Sequence, residues 1–251
     1  MNMVKLTAAI SKRDDWTMEE WQVHYKERHA SLSASVRDFS RHSLRYLQNY
    51  ALHPPEIPDF PDANSGRACV TELWFPTVEV LRTAYAEPDY MKYLRVDELR
   101  FCKFDDLAAG VGEEKSLLDF EPARGDKYYA HLARNKIFAF RTPRAGLERR
   151  EFQRAWQTER APQLMQSRHF VQCVRRYLQT HLLDVDVGIP GHVDHALIDE
   201  FWFTTIADAV TFWTAYRQSQ VDAQSDARYL KSGSTWAIFA REHEVFGPPP
   251  N

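Results

Sequence analysis

The sequence has few cysteines and no long apolar run, and each scarcity argues against a class of protein. Its three cysteines are odd in number and lack C-x-x-C or zinc-ligand spacing, so we expect reduced, mostly buried thiols: Cys69, Cys102 and Cys173. No segment approaches the roughly 20 apolar residues that span a bilayer. The N-terminal stretch MNMVKLTAAISKRDD turns polar too early for a signal peptide. We therefore expect a soluble, cytoplasmic protein with no membrane partner.

An excess of charge of one sign is also lacking. The chain has 32 basic and 35 acidic residues, which are well mixed and give a formal net charge of −3. A protein that binds a polyanion usually presents a basic field. We expect no nucleic-acid partner. The length of 251 residues allows one large domain or two ordinary ones, each with a substantial core.

An internal repeat is the main feature that is present. The stretch RYLQNYAL from Arg45 resembles RYLQTHLL from Arg176, 131 positions later. The same offset aligns two helical segments without a gap, and it pairs Trp21 with Phe152, Tyr25 with Trp156 and His29 with Arg160. The segment ELWF from Glu72 meets EFWF from Glu200 at an offset of 128, so the intervening loop is shorter in the second copy.

Each copy predicts the same order of elements. In the first copy, MVKLTAAIS, SLRYLQNYAL, ACVTELWF and residues 109–118 have the composition of strands. A helix is expected over residues 18–32, with Thr17 and Glu20 as a capping box, and others from Pro76 to Tyr85 and through PDYMKYLRVDE. NKIFAFRT is the first strand of the second copy.

The order βαββαβ predicts an α+β fold of two tandem ferredoxin-like units. We expect their antiparallel sheets to pack face to face as a pseudo-dimeric α+β barrel with the helices outside. The units are predicted as residues 1–122 and 123–251, because Pro122 and Gly125 punctuate a charged stretch there. Such a chain could be a monomeric pseudo-dimer, or it could pair as a homodimer through exposed edge strands.

The first copy resembles the EthD family of the dimeric α+β barrel superfamily. The motifs that carry the resemblance are T-M-E-E-W-x3-Y-x3-H-A, R-Y-L-Q-N, T-E-L-W-F and V-D-E-L-R-F, within residues 4–115. The second copy keeps only R-Y-L-Q and E-x-W-F. The resemblance implies cofactor-free lyases, decarboxylases, dehydratases, cyclases or oxygenases of aromatic and polyketide-like compounds, or relatives that bind haem. Fold analogy alone does not choose among them.

Divergence between the copies selects candidate catalytic residues. His29, Tyr25 and Asp97 are not kept in the second copy: Arg160 replaces His29, Trp156 replaces Tyr25, and the pair Asp97 and Glu98 falls near Gly233 and Ser234. Tyr25 and His29 are four residues apart and share a helix face. His29 would transfer a proton, Tyr25 would hydrogen-bond an oxyanion, and Asp97 would orient the histidine. Alternatively, His29 only bridges helix and strand.

A second group of residues could form the walls of a substrate pocket. It comprises aromatic residues suited to a flat apolar ligand, with neighbouring polar side chains. Residues kept in both copies favour a structural role, and a buried Glu72 would need a partner such as Arg45 or Arg176. The group is Trp21, Tyr46, Gln48, Tyr50, Glu72 and Trp74.

The second copy has its own polar cluster, His181, His192 and His195. The spacing of His192 and His195 suggests a metal, but no third ligand has diagnostic spacing, so we expect a solvated loop and no metal site. Haem ligation by His29 is a further alternative, although no haem signature accompanies it.

Three functions remain open. The first is a cofactor-free lyase or isomerase, such as a dehydratase, decarboxylase or cyclase, of a small hydrophobic oxo compound in aromatic metabolism. The second is a cofactor-free oxygenase of a phenol, and the third is a non-catalytic protein that binds a small molecule.

Overall fold

The computed structural model describes residues 3–63, 66–119, 134–189, 191 and 194–247. Its strands coincide with the predicted ones to within one or two residues. They are β1 (Val4–Ser11), β2 (Arg45–Ala51), β3 (Arg67–Phe75), β4 (Ala108–Leu118), β5 (Asn135–Arg141), β6 (Arg176–Leu182), β7 (Leu197–Phe203) and β8 (Trp236–Phe246).

The helices of the first half are interrupted by π-helical turns. They are α1 (Met18–Val23), a π turn (His24–His29), α2 (Ala30–Ser35), α3 (Arg37–Ser40), α4 (Val78–Ala86), a π turn (Tyr90–Leu94), α5 (Arg95–Phe101) and a 3₁₀ turn (Phe104–Asp106).

The second half repeats this pattern with a longer fourth helix. Its helices are α6 (Arg149–Ala155), a π turn (Trp156–Arg160), α7 (Ala161–Met165), α8 (Arg168–Cys173), α9 (Ile206–Gln218) and α10 (Gln220–Asp226).

Two helix starts show how the local sequence sets the elements. The predicted capping box is confirmed: Thr17 Oγ1 accepts from the Glu20 amide at 3.2 Å, and Glu20 accepts from the Thr17 amide at 2.9 Å. The predicted start of α4 at Pro76 is wrong by two residues. Thr77 is extended and its hydroxyl accepts from the Val80 amide, so this N-cap rather than the proline begins the helix.

The eight strands form one closed antiparallel barrel in the order β1-β3-β2-β8-β5-β7-β6-β4. We expected two sheets packed face to face, but the structure joins them edge to edge. β4 pairs with β6, and β8 pairs with β2, so the last strand of each half hydrogen-bonds to the other half. The predicted boundary at residues 122 and 123 lies outside the described residues.

A glycine permits the β4–β6 closure. Gly112 pairs with Leu182, and a Cβ at position 112 would lie 2.5 Å from the carbonyl oxygen of His181. Real Cβ atoms do not approach a backbone oxygen so closely. Gly112 is therefore needed for the two strands to come together.

Buried ion pairs occupy one end of the barrel interior. The Lys5 ammonium lies 3.0 Å from Glu72 and 2.9 Å from Glu114, and it also contacts Glu200 from the other half. Lys136 lies 2.8 Å from Glu72 and 2.6 Å from Glu242. Each lysine thus bridges the two halves. We call these six residues the interior ion-pair network: Lys5, Glu72, Glu114, Lys136, Glu200 and Glu242.

The network follows the internal repeat. Lys5 and Lys136 are 131 positions apart, and the pairs Glu72/Glu200 and Glu114/Glu242 are each 128 apart. Arg45 and Arg176, the partners expected for Glu72, instead pair with Glu244 and Asp119. The expectation failed because each arginine lies at the first residue of its strand, where it stacks on Trp74 or Trp202, while the lysines of β1 and β5 reach the glutamate.

Burial and crowding of carboxylates shift the acidity of the network. Burial, together with the charges of Glu72 and Glu114, raises the pKa of Glu200 to about 8, although Lys5 opposes the shift. Burial also opposes ionisation of Glu72, but Lys136 and Lys5 outweigh it and lower its pKa. Lys5 stays charged, since the surrounding carboxylates overcome burial and raise its pKa.

The other end of the interior is apolar. It is filled by Phe138, Phe140, Ile198, Ile238 and neighbouring side chains. Separate apolar clusters pack the helices onto the outer face of the barrel. Among the described helices, none is both long and apolar enough to cross a bilayer. The three cysteines are free and buried, as expected.

We predict that Glu200→Gln removes a pH dependence of stability. The folded chain holds a proton on Glu200 up to about pH 8, whereas the unfolded chain releases it near the ordinary value of 4.5. Wild-type stability should therefore fall as pH rises between these values. Urea unfolding across this range should show a smaller fall for Glu200→Gln. The control Glu244→Gln alters an exposed pair and should behave as wild type. Equal slopes for Glu200→Gln and wild type would contradict the assignment.

Candidate active site

A cavity of about 70 Å³ lies between the outer face of the barrel and the helices of the first half. Because side chains alternate along β1, Leu6, Ala8 and Ile10 line this cavity while Lys5 points into the barrel. The wall is mainly apolar and aromatic. The volume has room for about five water molecules, or a similar number of ligand atoms, before any side chain moves.

His29 lines the cavity and is hydrogen-bonded to Asp97, a carboxylate that it shares with His24. Its Nδ1 donates to Asp97 Oδ2 at 2.9 Å, and His24 Nε2 donates to the same carboxylate at 3.0 Å. The π turn carries both histidines, and α5 supplies Asp97. The sequence predicted that Asp97 could reach the histidine, and the structure brings the two together. Nothing in the sequence indicated the contact between His24 and Asp97.

The contact with Asp97 sets the tautomer of His29. Burial opposes the charge on Asp97, but the hydrogen bonds and charges of His29 and His24 outweigh it and lower its pKa. An ionised carboxylate only accepts hydrogen bonds, so Nδ1 carries the proton and Nε2 has the lone pair. Within the described part of the chain, Nε2 has no hydrogen-bond partner. His29 therefore presents a basic nitrogen that protein groups do not occupy.

Tyr25 lines the same cavity and stacks on His29, with ring centroids 5.2 Å apart and planes at 14°. Its hydroxyl hydrogen-bonds to Thr71 and accepts from Tyr46 at 3.2 Å, and Tyr46 in turn accepts from Gln48 at 2.9 Å. Burial raises the pKa of Tyr25 well above its usual value, so it is a neutral donor. The chain of donors ends at Thr71, whose hydroxyl also faces the cavity.

The residues predicted to bind substrate have three different locations. Of these, Tyr46 lines the cavity. Trp21 is fully buried behind Tyr25, where its indole donates to the Phe101 carbonyl at 3.2 Å. Gln48 and Tyr50 hydrogen-bond to each other beside the tyrosine network.

Glu72 and Trp74 were grouped with the pocket, and the structure does not bring them to it. Both belong to the barrel-facing side of β3, where Glu72 joins the interior ion-pair network and Trp74 donates to Glu114 at 2.8 Å. The alternate residues Thr71 and Leu73 face the cavity instead. The one-residue alternation was visible in the sequence, but not which face met the helices.

Several cavity residues were missed in the site prediction. Glu98, which follows Asp97 on α5, lines the cavity and accepts from the Tyr90 hydroxyl at 2.9 Å. Tyr85 and Arg95 also contribute to the wall. The acidic pair at 97 and 98 was a visible signal. Adjacent residues on a helix point to different sides. Asp97 therefore contacts His29, while Glu98 reaches the cavity wall.

The second half fills the equivalent space with charged side chains. Arg160, the counterpart of His29, is buried and lies 2.8 Å from Asp222 and 2.5 Å from Asp226 on α10. Arg141, the counterpart of the cavity residue Ile10, is buried against Asp199 at 2.8 Å. The sequence alignment that placed Asp97 near Gly233 was wrong. A carboxylate partner is retained at Asp222, while the histidine is replaced.

His181 and His195, the described members of the predicted second-half cluster, contact different residues. His181 contacts Gln179, while His195 contacts Thr142 and Trp236, and burial lowers the pKa of each to about 4. His192 lies outside the described residues. Over the residues that are described, the one group with metal-ligand geometry is Glu72, Glu114 and Glu200. The Lys5 ammonium already occupies the point on which these carboxylates converge.

Haem does not fit the cavity beside His29. A porphyrin is several times larger than the space of about 70 Å³.

Residues 13–105 match the family model described as the EthD domain. The matched segment begins after β1 and ends in the 3₁₀ turn after α5, so it contains Tyr25, His29, Asp97 and Glu98. No curated protein matches the sequence.

Solved structures match almost the whole chain at low identity. An anthrone oxidase-like protein aligns with a TM-score of 0.64 at 10% identity, over 97% of this chain and 93% of the other. A candidate chlorite dismutase gives 0.52 at 7% identity, over 98% and 96%. A candidate monooxygenase of Fusobacterium nucleatum subsp. nucleatum gives 0.51 at 5% identity, over 98% and 96%. These likenesses show the fold alone, a closed antiparallel barrel with helices on its outer face.

We predict that Asp97→Asn destabilises the protein in a pH-dependent way. The lowered pKa of Asp97 means that its pairing stabilises the folded state above pH 3.8 and is lost as pH falls below that value. The free energy of unfolding at pH 7 should drop by about 1–3 kcal/mol, with a smaller difference at pH 3. Chemical denaturation measures this, with the exposed Asp105→Asn as control.

The Asp97→Asn variant also tests which ring nitrogen of His29 carries the proton. In ¹⁵N NMR spectra, wild-type His29 should be protonated on Nδ1, and Asp97→Asn should shift the population toward Nε2. Identical ¹⁵N shifts in both proteins would contradict the role given to Asp97.

Proposed function

We propose that the protein, whose residues 13–105 match the EthD domain model, is an enzyme that uses His29 to take a proton from a small hydrophobic oxo compound. The observation that carries the proposal is the free Nε2 of His29 at the wall of an apolar cavity, with Asp97 fixing the opposite nitrogen at 2.9 Å. A histidine held in this way is suited to general base catalysis near neutral pH.

The cavity supplies the remaining requirements for deprotonation. Carbon acids and phenols lose a proton more easily when the negative charge that develops on oxygen meets hydrogen-bond donors. The Thr71 hydroxyl, at the end of the hydrogen-bond chain through Tyr46 and Tyr25, is a neutral donor at the cavity wall. The apolar surroundings keep water away from the resulting anion and strengthen these hydrogen bonds.

Two outcomes of deprotonation are compatible with this site. If the anion is reprotonated elsewhere or expels a leaving group, the enzyme is a cofactor-free isomerase or lyase such as a dehydratase, decarboxylase or cyclase. If the anion meets dioxygen, the enzyme is a cofactor-free oxygenase. The whole-chain match to an anthrone oxidase-like protein supports the second outcome as a serious alternative.

The cavity volume limits the substrate. About 70 Å³ accommodates a fragment of about five heavy atoms, so a single-ring compound already requires small movements of the lining aromatic side chains. Larger polyketide-like substrates require larger movements. A small aromatic or alicyclic oxo compound therefore fits the site best.

The two halves of the barrel have equivalent strand orders. The strand orders β4-β1-β3-β2 and β8-β5-β7-β6 are equivalent, which supports two tandem ferredoxin-like units with the boundary near residue 122. The barrel is closed by its own strands, so we expect a pseudo-dimer that functions as a monomer. Only the first unit would be catalytic, because Arg160 and Arg141 fill the second.

We predict that His29→Ala abolishes proton exchange. Cyclohexanone is a one-ring ketone whose hydrogens next to the carbonyl exchange slowly in D2O, and the wild-type protein should accelerate that exchange, as followed by ¹H NMR. His29→Ala should lower the enzymatic rate by about 100-fold or more, since a general base contributes on this scale. The control His42→Ala changes a histidine that pairs with Glu87 and does not line the cavity.

Oxygen uptake, measured with an oxygen electrode, distinguishes the isomerase or lyase from the oxygenase. Anthrone serves as a second test compound beside cyclohexanone, and oxygen uptake that depends on His29 would favour the oxygenase. Exchange that does not depend on His29, in variants whose thermal unfolding matches wild type, would refute the proposed base.

A further inference from the structure

Glu98 is a second titratable group that faces the cavity. It lies on α5 directly after Asp97, and its carboxylate accepts from Tyr90 at 2.9 Å and lies 3.4 Å from Arg95. His29 and Glu98 both line the same cavity of about 70 Å³. A ligand in so small a space contacts both groups. Proton transfer by His29 alone gives Glu98 no part in the reaction.

Asp97 and Glu98 are neighbours on α5, but their carboxylates contact different groups. Asp97 is engaged by both His29 and His24, so its oxygens are directed to the π turn. Glu98 is turned to another side of the helix and reaches the cavity wall, where Tyr90 holds it from the preceding π turn. The structure therefore pairs a basic nitrogen with a carboxyl group across one small cavity.

The second half shows what becomes of this carboxyl where the histidine is replaced. At the offset of 128 that relates Glu72 to Glu200, Glu98 corresponds to Asp226, which accepts from the Tyr216 hydroxyl as Glu98 accepts from Tyr90. Arg160, the counterpart of His29, lies 2.5 Å from Asp226 and neutralises it. In the first half His29 stands at the position of that arginine, and Glu98 faces the cavity.

We infer that Glu98 is the catalytic acid of the site, and that it gives a proton to the carbonyl oxygen of the substrate while His29 removes a proton from the adjacent carbon. This inference rests on the proposed function and extends it. It assigns the substrate class as ketones or enolisable oxo compounds whose carbonyl lies between Glu98 and His29.

The step balances as a tautomerisation. His29 Nε2 takes the proton, and the electrons of the C–H bond form a carbon–carbon double bond. The carbonyl π electrons move to oxygen, which accepts the proton of the Glu98 carboxyl. The products are an enol, an imidazolium and a carboxylate, and the reverse step with a solvent deuteron returns deuterium to the carbon.

The local environment of Glu98 is compatible with this task. Burial raises the pKa of Glu98, although His29, Arg95 and the Tyr90 hydroxyl oppose the shift. The protonated form is therefore more accessible than for a glutamate in water, and binding of an apolar ligand would increase the burial further.

Glu98→Gln tests the inference in the cyclohexanone exchange assay. The exchange rate should fall by about 100-fold, and the decline of the rate at high pH should disappear, because only an acid that must be protonated produces that decline. The matched control is Glu27→Gln, an exposed residue of the π turn that carries His29. A wild-type rate and pH profile in Glu98→Gln would overturn the assignment.

A binding measurement separates this inference from the proposed function. Infrared spectra of bound cyclohexanone should show the carbonyl stretch lowered by a hydrogen bond in wild type and in His29→Ala, but not in Glu98→Leu, whose side chain has no hydrogen-bond donor. If exchange does not depend on His29 and the band still depends on Glu98, the proposed base fails while Glu98 remains a substrate donor. If the band is the same in all three proteins, the inference about Glu98 is wrong.

Discussion

The buried ammonium of Lys5 is the interaction on which the rest of the structure depends. A charge that is removed from water must be paired, and three carboxylates from both halves of the chain converge on Lys5. Lys136 makes the reciprocal contacts to Glu72 and Glu242. Separating the halves would leave these charges unpaired, so the network holds the barrel closed in one register. With the barrel interior occupied in this way, the outer face of the barrel is left to bind ligands.

The two halves use the same outer surface differently. In the first half, small and apolar residues of β1 leave a cavity, and His29 and Glu98 face it. In the second half, Arg141 and Arg160 occupy the corresponding region and are neutralised by Asp199, Asp222 and Asp226. The same helix–sheet scaffold therefore supports a mainly apolar cavity on one side and a packed, ion-paired layer on the other. In the proposed function, the first half performs the chemistry while the second half contributes to the fold.

Several features of the fold and site could be read from the sequence because they are local. Strand composition, the Thr17 capping box and the four-residue spacing of Tyr25 and His29 depend on near neighbours, and all three are found. Predictions about contacts between residues far apart in the sequence were less accurate. Glu72 was expected to pair with an arginine, whereas lysines from β1 and β5 bind it. Asp222 was not recognised as a partner of Arg160, since the helix that carries it is displaced relative to the sequence alignment.

The sequence by itself determined the repeat, the order of elements and the half of the chain that retains a histidine on an inward helix face. Only the tertiary structure decided which face of each strand meets the helices, and therefore that Thr71 rather than Glu72 borders the cavity. It also decided that Asp97 and Glu98 serve different partners. The physical reason is that alternation along a strand and rotation along a helix fix relative directions only. Absolute directions are set when the eight strands close and each buried charge finds its counter-ion.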